Sequence, residues 1–133
     1  MIYSGKCLCG NIKFEIASKD PLPYGHCHCT ACRKSHGADF TSATIVRECD
    51  LSILEGNELL TSFQSSVRME RQFCTRCGSR LFVKFKRVGK DQEAEEIMYT
   101  VSINSLDRVE NWRETGDIFL NDRAPWVERN ENQ

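Results

Sequence analysis

Seven of the eight cysteines in this 133-residue chain fall in three tight clusters: Cys7-Leu8-Cys9, Cys27-His28-Cys29-Thr30-Ala31-Cys32 and Cys74-Thr75-Arg76-Cys77. No other feature restricts the fold as much, because each cluster must face something that tolerates several thiolates at once. The first and last pairs together supply the four sulfurs of a closed tetrahedral metal site. The middle group supplies three and leaves a fourth position open to water or substrate.

Four disulfides are the competing use of eight cysteines. They need an oxidising compartment, and the opening Met1-Ile2-Tyr3-Ser4-Gly5-Lys6 has no signal-peptide apolar stretch. Cysteines one or two residues apart would also close small, strained rings. The expectation is therefore reduced thiolates on metal, in a cytoplasmic protein.

The 18 basic and 19 acidic residues leave a formal charge of −1 with no block of like charge, so nothing draws a phosphate backbone from a distance. No apolar run approaches the roughly 20 residues that span a bilayer. Nucleic acid and membrane are thus not expected partners, and no heptad or apolar patch specifies an oligomer. The length suits one domain, read here as residues 1–127, followed by a frayed tail over 128–133.

Alternation and β-branched residues predict strands at Lys13–Ala17, Ala38–Val46, Leu51–Gly56, Leu60–Phe63, Val67–Phe73, Arg80–Phe85 and Ile97–Ile103. One short helix is expected near Thr30–Ser35, and a polar hairpin loop over Gly89–Glu96. From Asn104 onward the chain reads as irregular. The fold class is therefore all-β, built from short strands.

Cys9-Gly10 and Cys77-Gly78 end their clusters in glycine, which permits a knuckle that turns backbone amides toward the sulfurs. Shared metal at Cys7, Cys9, Cys74 and Cys77 would staple the first strand to a late one and convert binding energy into folding energy. In Cys27-x-Cys29-x-x-Cys32, one loop and one helical turn aim three sulfurs at one ion. Neighbouring residues of an extended segment point to opposite sides, so His28 should face away from that ion. His26 and His28 are then candidate donors to sulfur or substrate. Arg33 and Lys34 follow directly, and positive charge beside thiols favours thiolate. Cys49 stands alone and reads as a small, partly buried hydrophobe. Among Trp112, Phe119 and Trp126, core filling is the first expectation, with Pro125-Trp126 the candidate lid over the cysteine loop.

The chain resembles the glutathione-dependent formaldehyde-activating enzyme family, which also includes the centromere protein V relatives. The resemblance rests on Gly5-Lys6-Cys7-Leu8-Cys9-Gly10, His26-Cys27-His28-Cys29-Thr30-Ala31-Cys32-Arg33 and Arg71-Gln72-Phe73-Cys74-Thr75-Arg76-Cys77-Gly78-Ser79. It extends to Ile118-Phe119, Asp122 and Ala124-Pro125-Trp126 near the end. It implies a zinc-pinned β-tent of short antiparallel sheets, related to methionine sulfoxide reductase B. It also implies structural zinc on Cys7, Cys9, Cys74 and Cys77. Cys27, Cys29 and Cys32 become the reactive group, holding a second, exchangeable zinc or meeting glutathione.

The implied reaction is that of a carbon–sulfur lyase joining glutathione and formaldehyde as S-hydroxymethylglutathione, with a small-molecule thiol and aldehyde as partners. Arg33 and His28 are the residues assigned to glutathione, with His28 or His26 moving the proton. Arg68, Arg71, Arg76 and Arg80 are further cations available to its carboxylates. The reductase chemistry does not carry over, because no cysteine follows Cys77. The rival reading is a non-catalytic zinc module that binds a protein partner.

Overall fold

The computed structural model describes residues 1–88 and 94–128. Half of the described residues are in strands and one α-helix is among them, as the sequence led us to expect. The strands are β1 (Ile2–Lys6), β2 (Lys13–Ala17), β3 (Pro23–Cys27), β4 (Thr41–Arg47), β5 (Leu51–Glu55), β6 (Leu60–Gln64), β7 (Met69–Cys74), β8 (Arg80–Val88), β9 (Glu95–Ser102) and β10 (Arg113–Ile118). The helix α1 (Thr30–His36) lies between β3 and β4. Strands β1, β2 and β5 make a three-stranded sheet, and the rest make a seven-stranded sheet in the order β10-β3-β4-β9-β8-β7-β6.

In β2 the alternation works as the sequence implies: Phe14 and Ile16 are buried while Lys13 and Ala17 are exposed. Phe14 lies opposite Gly5 of β1, and a Cβ at Gly5 would come within 2.3 Å of the Phe14 ring. That ring meets Phe82 of the large sheet edge-to-face at 5.0 Å, a favoured aromatic geometry. Tyr3, Ile12, Phe14 and Ile16 from the small-sheet side join Val46, Phe82 and Val101 in one core.

The other face of the large sheet is organised by register. Ile45 pairs with Thr100, Thr100 with Val83 and Val83 with Arg71, and directly opposed residues share a face. This row crosses β4, β9, β8 and β7 on one side of the sheet.

Three expectations need correction. The region after Asn104 is not irregular: β10 pairs in parallel with β3, the one parallel pairing among the described residues. Strand β4 begins at Thr41 rather than Ala38, and β7 at Met69 rather than Val67. Of the expected loop Gly89–Glu96, residues 89–93 lie outside the described residues, while Glu95 and Glu96 belong to β9. The expected tail also lies outside them, apart from Glu128.

Candidate metal centres and the adjoining cavity

Cys7 and Cys9 leave β1, and Cys74 and Cys77 leave β7, each pair followed by a glycine in the left-handed region: Gly10 at φ 79° and Gly78 at φ 77°. The turns close with Gly10 N–H donating to Cys7 O at 3.0 Å and Gly78 N–H to Cys74 O at 2.8 Å. Leu8 N–H donates to Ser79 Oγ at 2.9 Å, tying one knuckle to the other.

All four sulfurs lie within 4.8 Å of one another, with Cys7 and Cys9 at 3.5 Å and Cys9 and Cys74 at 3.9 Å. A tetrahedron of roughly 2.3 Å metal–sulfur bonds has edges of about 3.8 Å, so the donor set fits a tetrahedral metal ion. Ile12 N–H donates to Cys7 Sγ at 3.3 Å and Asn11 Nδ2 to Cys9 Sγ at 3.2 Å, the contacts that orient thiolate ligands. Burial opposes ionisation of Cys77, but hydrogen bonds from Ser79 and the backbone outweigh it and bring the thiol down to about 5. Burial pushes Cys74 the other way.

The second group is assembled by the β3–α1 junction. Cys27 ends β3, Cys29 caps α1, and Cys32 lies in its first turn, its N–H donating to Cys29 Sγ at 3.3 Å. The helix stops at Gly37, left-handed at φ 60°. The sulfurs of Cys27, Cys29 and Cys32 again lie within 4.8 Å of one another, and among the described residues no fourth cysteine, histidine or carboxylate joins them. A hydrogen bond from Cys27 holds the Cys32 thiol down at about 4 against the opposing effect of burial, helped by Arg71. Cys27, as the donor of that bond, is pushed upward. The donor set suits an ion with one open position.

Cys27, Cys29 and Cys32 form part of the wall of a cavity of about 580 Å³. Arg71 reaches the same place from β7. It is 6% exposed, with Nη1 3.7 Å from Cys32 Sγ and Nε donating to Ser65 Oγ at 3.1 Å. His36, at the end of α1, also lines the cavity, and burial holds it below the ordinary histidine range.

Neither Arg33 nor His28, the residues assigned to glutathione from the sequence, is in the cavity wall. His28 is fully buried, its Nε2 donating to Asp117 Oδ1 at 2.8 Å. Its Nδ1 is buried with no hydrogen-bond partner among the described residues. Arg33 donates to Asp122 O at 2.9 Å and stands 5.7 Å over the Trp126 ring. His26 lies between Ser42 Oγ at 2.7 Å and Glu114 Oε1 at 2.9 Å.

Of the other arginines the sequence offered, Arg71 is the one in the wall. Arg68 is drawn to Lys86 O and Glu95, and Arg80 lies 4.3 Å over Phe73. His36 was not singled out, although it follows Cys32 by one helical turn, the spacing that puts two side chains on one face. Cys49 is exposed rather than partly buried, its Sγ 3.7 Å from Asp50 Oδ1. Trp112 is core, Phe119 lines the cavity, and Trp126 is exposed and donates to Asp39 Oδ1 at 2.7 Å.

A family profile described as "Glutathione-dependent formaldehyde-activating enzyme" matches residues 2–122. A Halomonas elongata protein provisionally named glutathione-dependent formaldehyde-activating enzyme is 32% identical over 88 residues, covering 62% of this chain and 56% of that protein. A Podospora anserina protein with the same provisional name is 27% identical over 110 residues, covering 82% of this chain and 49% of that one. The chain spans about half the length of these curated relatives. The crystal structure of a Rhodobacter sphaeroides protein superposes with a TM-score of 0.60 at 24% identity, covering 84% of this chain and 99% of that one; this likeness concerns the fold alone.

Proposed function

Since the chain belongs to the glutathione-dependent formaldehyde-activating enzyme family, we propose that it is a zinc-dependent carbon–sulfur lyase acting on a glutathione adduct of a small aldehyde. The observation that carries this reading is the gathering of three sulfurs, with no fourth ligand among the described residues, on the wall of a cavity. The reading gives Cys7, Cys9, Cys74 and Cys77 a structural zinc and makes Cys27, Cys29 and Cys32 the reactive centre. A zinc held by those three supplies a Lewis acid with a free fourth position for thiol or water.

The chain's own side chains do the remaining work. Arg71 keeps positive charge beside the sulfurs and favours an anionic thiol there. His36, which burial holds below the ordinary histidine range, accepts the thiol proton. That proton ends on the aldehyde oxygen as the carbon–sulfur bond forms, so the addition balances without a further reactant. His28 and Asp117 act at one remove, their buried bond anchoring the segment that carries Cys27 and Cys29. On this reading the proton-moving role first given to His28 or His26 falls to His36, and Arg71 supplies positive charge beside the sulfurs.

The test is zinc content per chain with and without glutathione, together with the rate of S-hydroxymethylglutathione formation. Two zincs, one of which responds to glutathione, and a rate above background that Cys29→Ser abolishes are expected. A background rate with both sites loaded would sink the reading.

A further inference from the structure

The cavity is poorly suited to the two small partners alone. Formaldehyde is a single carbonyl group, whereas cavities of about 300–1,000 Å³ enclose drug-sized ligands, and this one has about 580 Å³. Glutathione carries two carboxylates, yet among the described wall residues Arg71 is the one permanent cation and no acidic residue or lysine is present. Arg71 is already engaged by Cys32 and Ser65.

The rest of the wall is largely hydrocarbon. Ile45, Met69, Val83, Phe85, Ile118 and Phe119 all face it, brought from β4, β7, β8 and the end of β10. Ile45, Met69, Ile118 and Phe119 are also among the exposed large hydrophobic residues, so this apolar surface is left uncovered on the side of the sheet away from the core. Phe119 holds φ 58°, a left-handed conformation that bulky side chains rarely adopt. Strain of this kind collects where a side chain is held for a ligand.

We infer that the cavity takes a hydrocarbon substituent carried by the thiol adduct, so that the substrate class is an adduct with an alkyl or aryl chain rather than the unsubstituted hydroxymethyl compound. The inference rests on the lyase reading for the reacting end and on the cavity wall for the rest. The reacting carbon–sulfur bond lies at Cys27, Cys29 and Cys32, the chain lies along Ile45, Val83 and Phe85, and Phe119 covers the rim. Glutathione's carboxylates, where glutathione is the thiol, stay outside the cavity.

Calorimetric titration of the zinc-loaded protein tests this in two series. One is the n-alkanethiols from ethanethiol to octanethiol; the other is S-methyl- to S-hexylglutathione, stable mimics of an adduct whose chain comes from the aldehyde. Affinity is expected to rise about two- to fourfold per methylene, and the rise should stop at a shorter chain in Ala43→Leu, which narrows the cavity. Phe119→Ala should flatten the slope. A rise in the first series puts the hydrocarbon on the thiol, and a rise in the second puts it on the aldehyde. No dependence on chain length in either series overturns the inference, even if formaldehyde and glutathione are turned over. A rising series without such turnover overturns the formaldehyde reading and leaves the hydrocarbon-bearing substrate class standing.

Discussion

Arg71 Nη1, on β7, lies 3.7 Å from Cys32 Sγ, on the helix that follows β3, although β4, β9 and β8 separate β3 from β7 in the sheet. Four strand spacings of about 4.8 Å would put β3 and β7 roughly 19 Å apart in a flat sheet. The helix α1, which carries Cys32 away from β3 and packs against β4, and the reach of the guanidinium close that gap. The contact therefore reports on how α1 is placed against the sheet.

Arg71→Met removes this cation. With the three-cysteine group free of metal, the midpoint for Cys32 alkylation should move up from about 4 by about 1–2 pH units, the usual effect of a nearby opposite charge. Because its folded value lies below that of a free thiol, Cys32 contributes stability that is complete above the ordinary thiol range and is lost as pH falls toward 4. Site-resolved mass spectrometry after iodoacetamide trapping measures the midpoint. An unmoved midpoint would leave the hydrogen bonds from Cys27, Cys29 and Thr41 as the cause.

Cys7→Ser and Cys32→Ser should behave differently. The first opens the four-sulfur cluster that joins β1 to β7, and structural metal sites are worth on the order of 10 kcal/mol in small domains. Loss of one tightly held metal and a stability drop of several kcal/mol are expected. Cys32→Ser should lose metal with a much smaller change in melting temperature. Equal destabilisation by the two would mean that both clusters are structural.

Asp117→Ala strands His28, which is fully buried. Removing the partner of a buried hydrogen-bonded ring nitrogen costs about 1–3 kcal/mol, so the urea midpoint should fall below that of the parent. Asp117→Asn, which keeps an acceptor, should recover part of the loss. If neither variant shifts the midpoint, the pair does not anchor the Cys27–Cys29 segment.

Gly56→Ala and Gly37→Ala separate crowding from backbone conformation. Both positions are left-handed, at φ 81° and φ 60°, but a Cβ at Gly56 would meet Asn11 O at 2.1 Å while nothing lies within 4 Å of one at Gly37. The Gly37 change should cost about 1–2 kcal/mol and the Gly56 change clearly more. Thermal melts that rank them in the opposite order would contradict this packing.

The two clusters were legible because ligand spacing is local: Cys7 with Cys9, Cys74 with Cys77, and Cys27 with Cys29 and Cys32 need only a turn to converge. Strands with alternating apolar residues, such as Lys13–Ala17, were legible for the same reason. Pro23–Cys27 was not, since Pro23 and Gly25 carry little strand preference. Arg113–Ile118 was not either, because its Arg-Glu-Thr-Gly-Asp-Ile run lacks alternation and is a strand through pairing with β3. Arg71 stood in the sequence as one arginine among several. Its selection depends on where α1 brings Cys32 relative to β7, which no local pattern records.

The parallel pairing of β10 with β3 gives the three-cysteine segment a late partner. Asp117 lies opposite His26, and Ile118 opposite Cys27. On the ribosome, the three middle cysteines therefore emerge long before the strand that flanks them. A chain whose synthesis has reached Cys77 holds every sulfur of both clusters, yet the segment bearing Cys27 lacks its neighbour and the Asp117 carboxylate that fixes His28. Vectorial synthesis thus separates the two groups in time: the four-sulfur cluster can assemble first, and the three-sulfur one takes its final shape only when β10 docks.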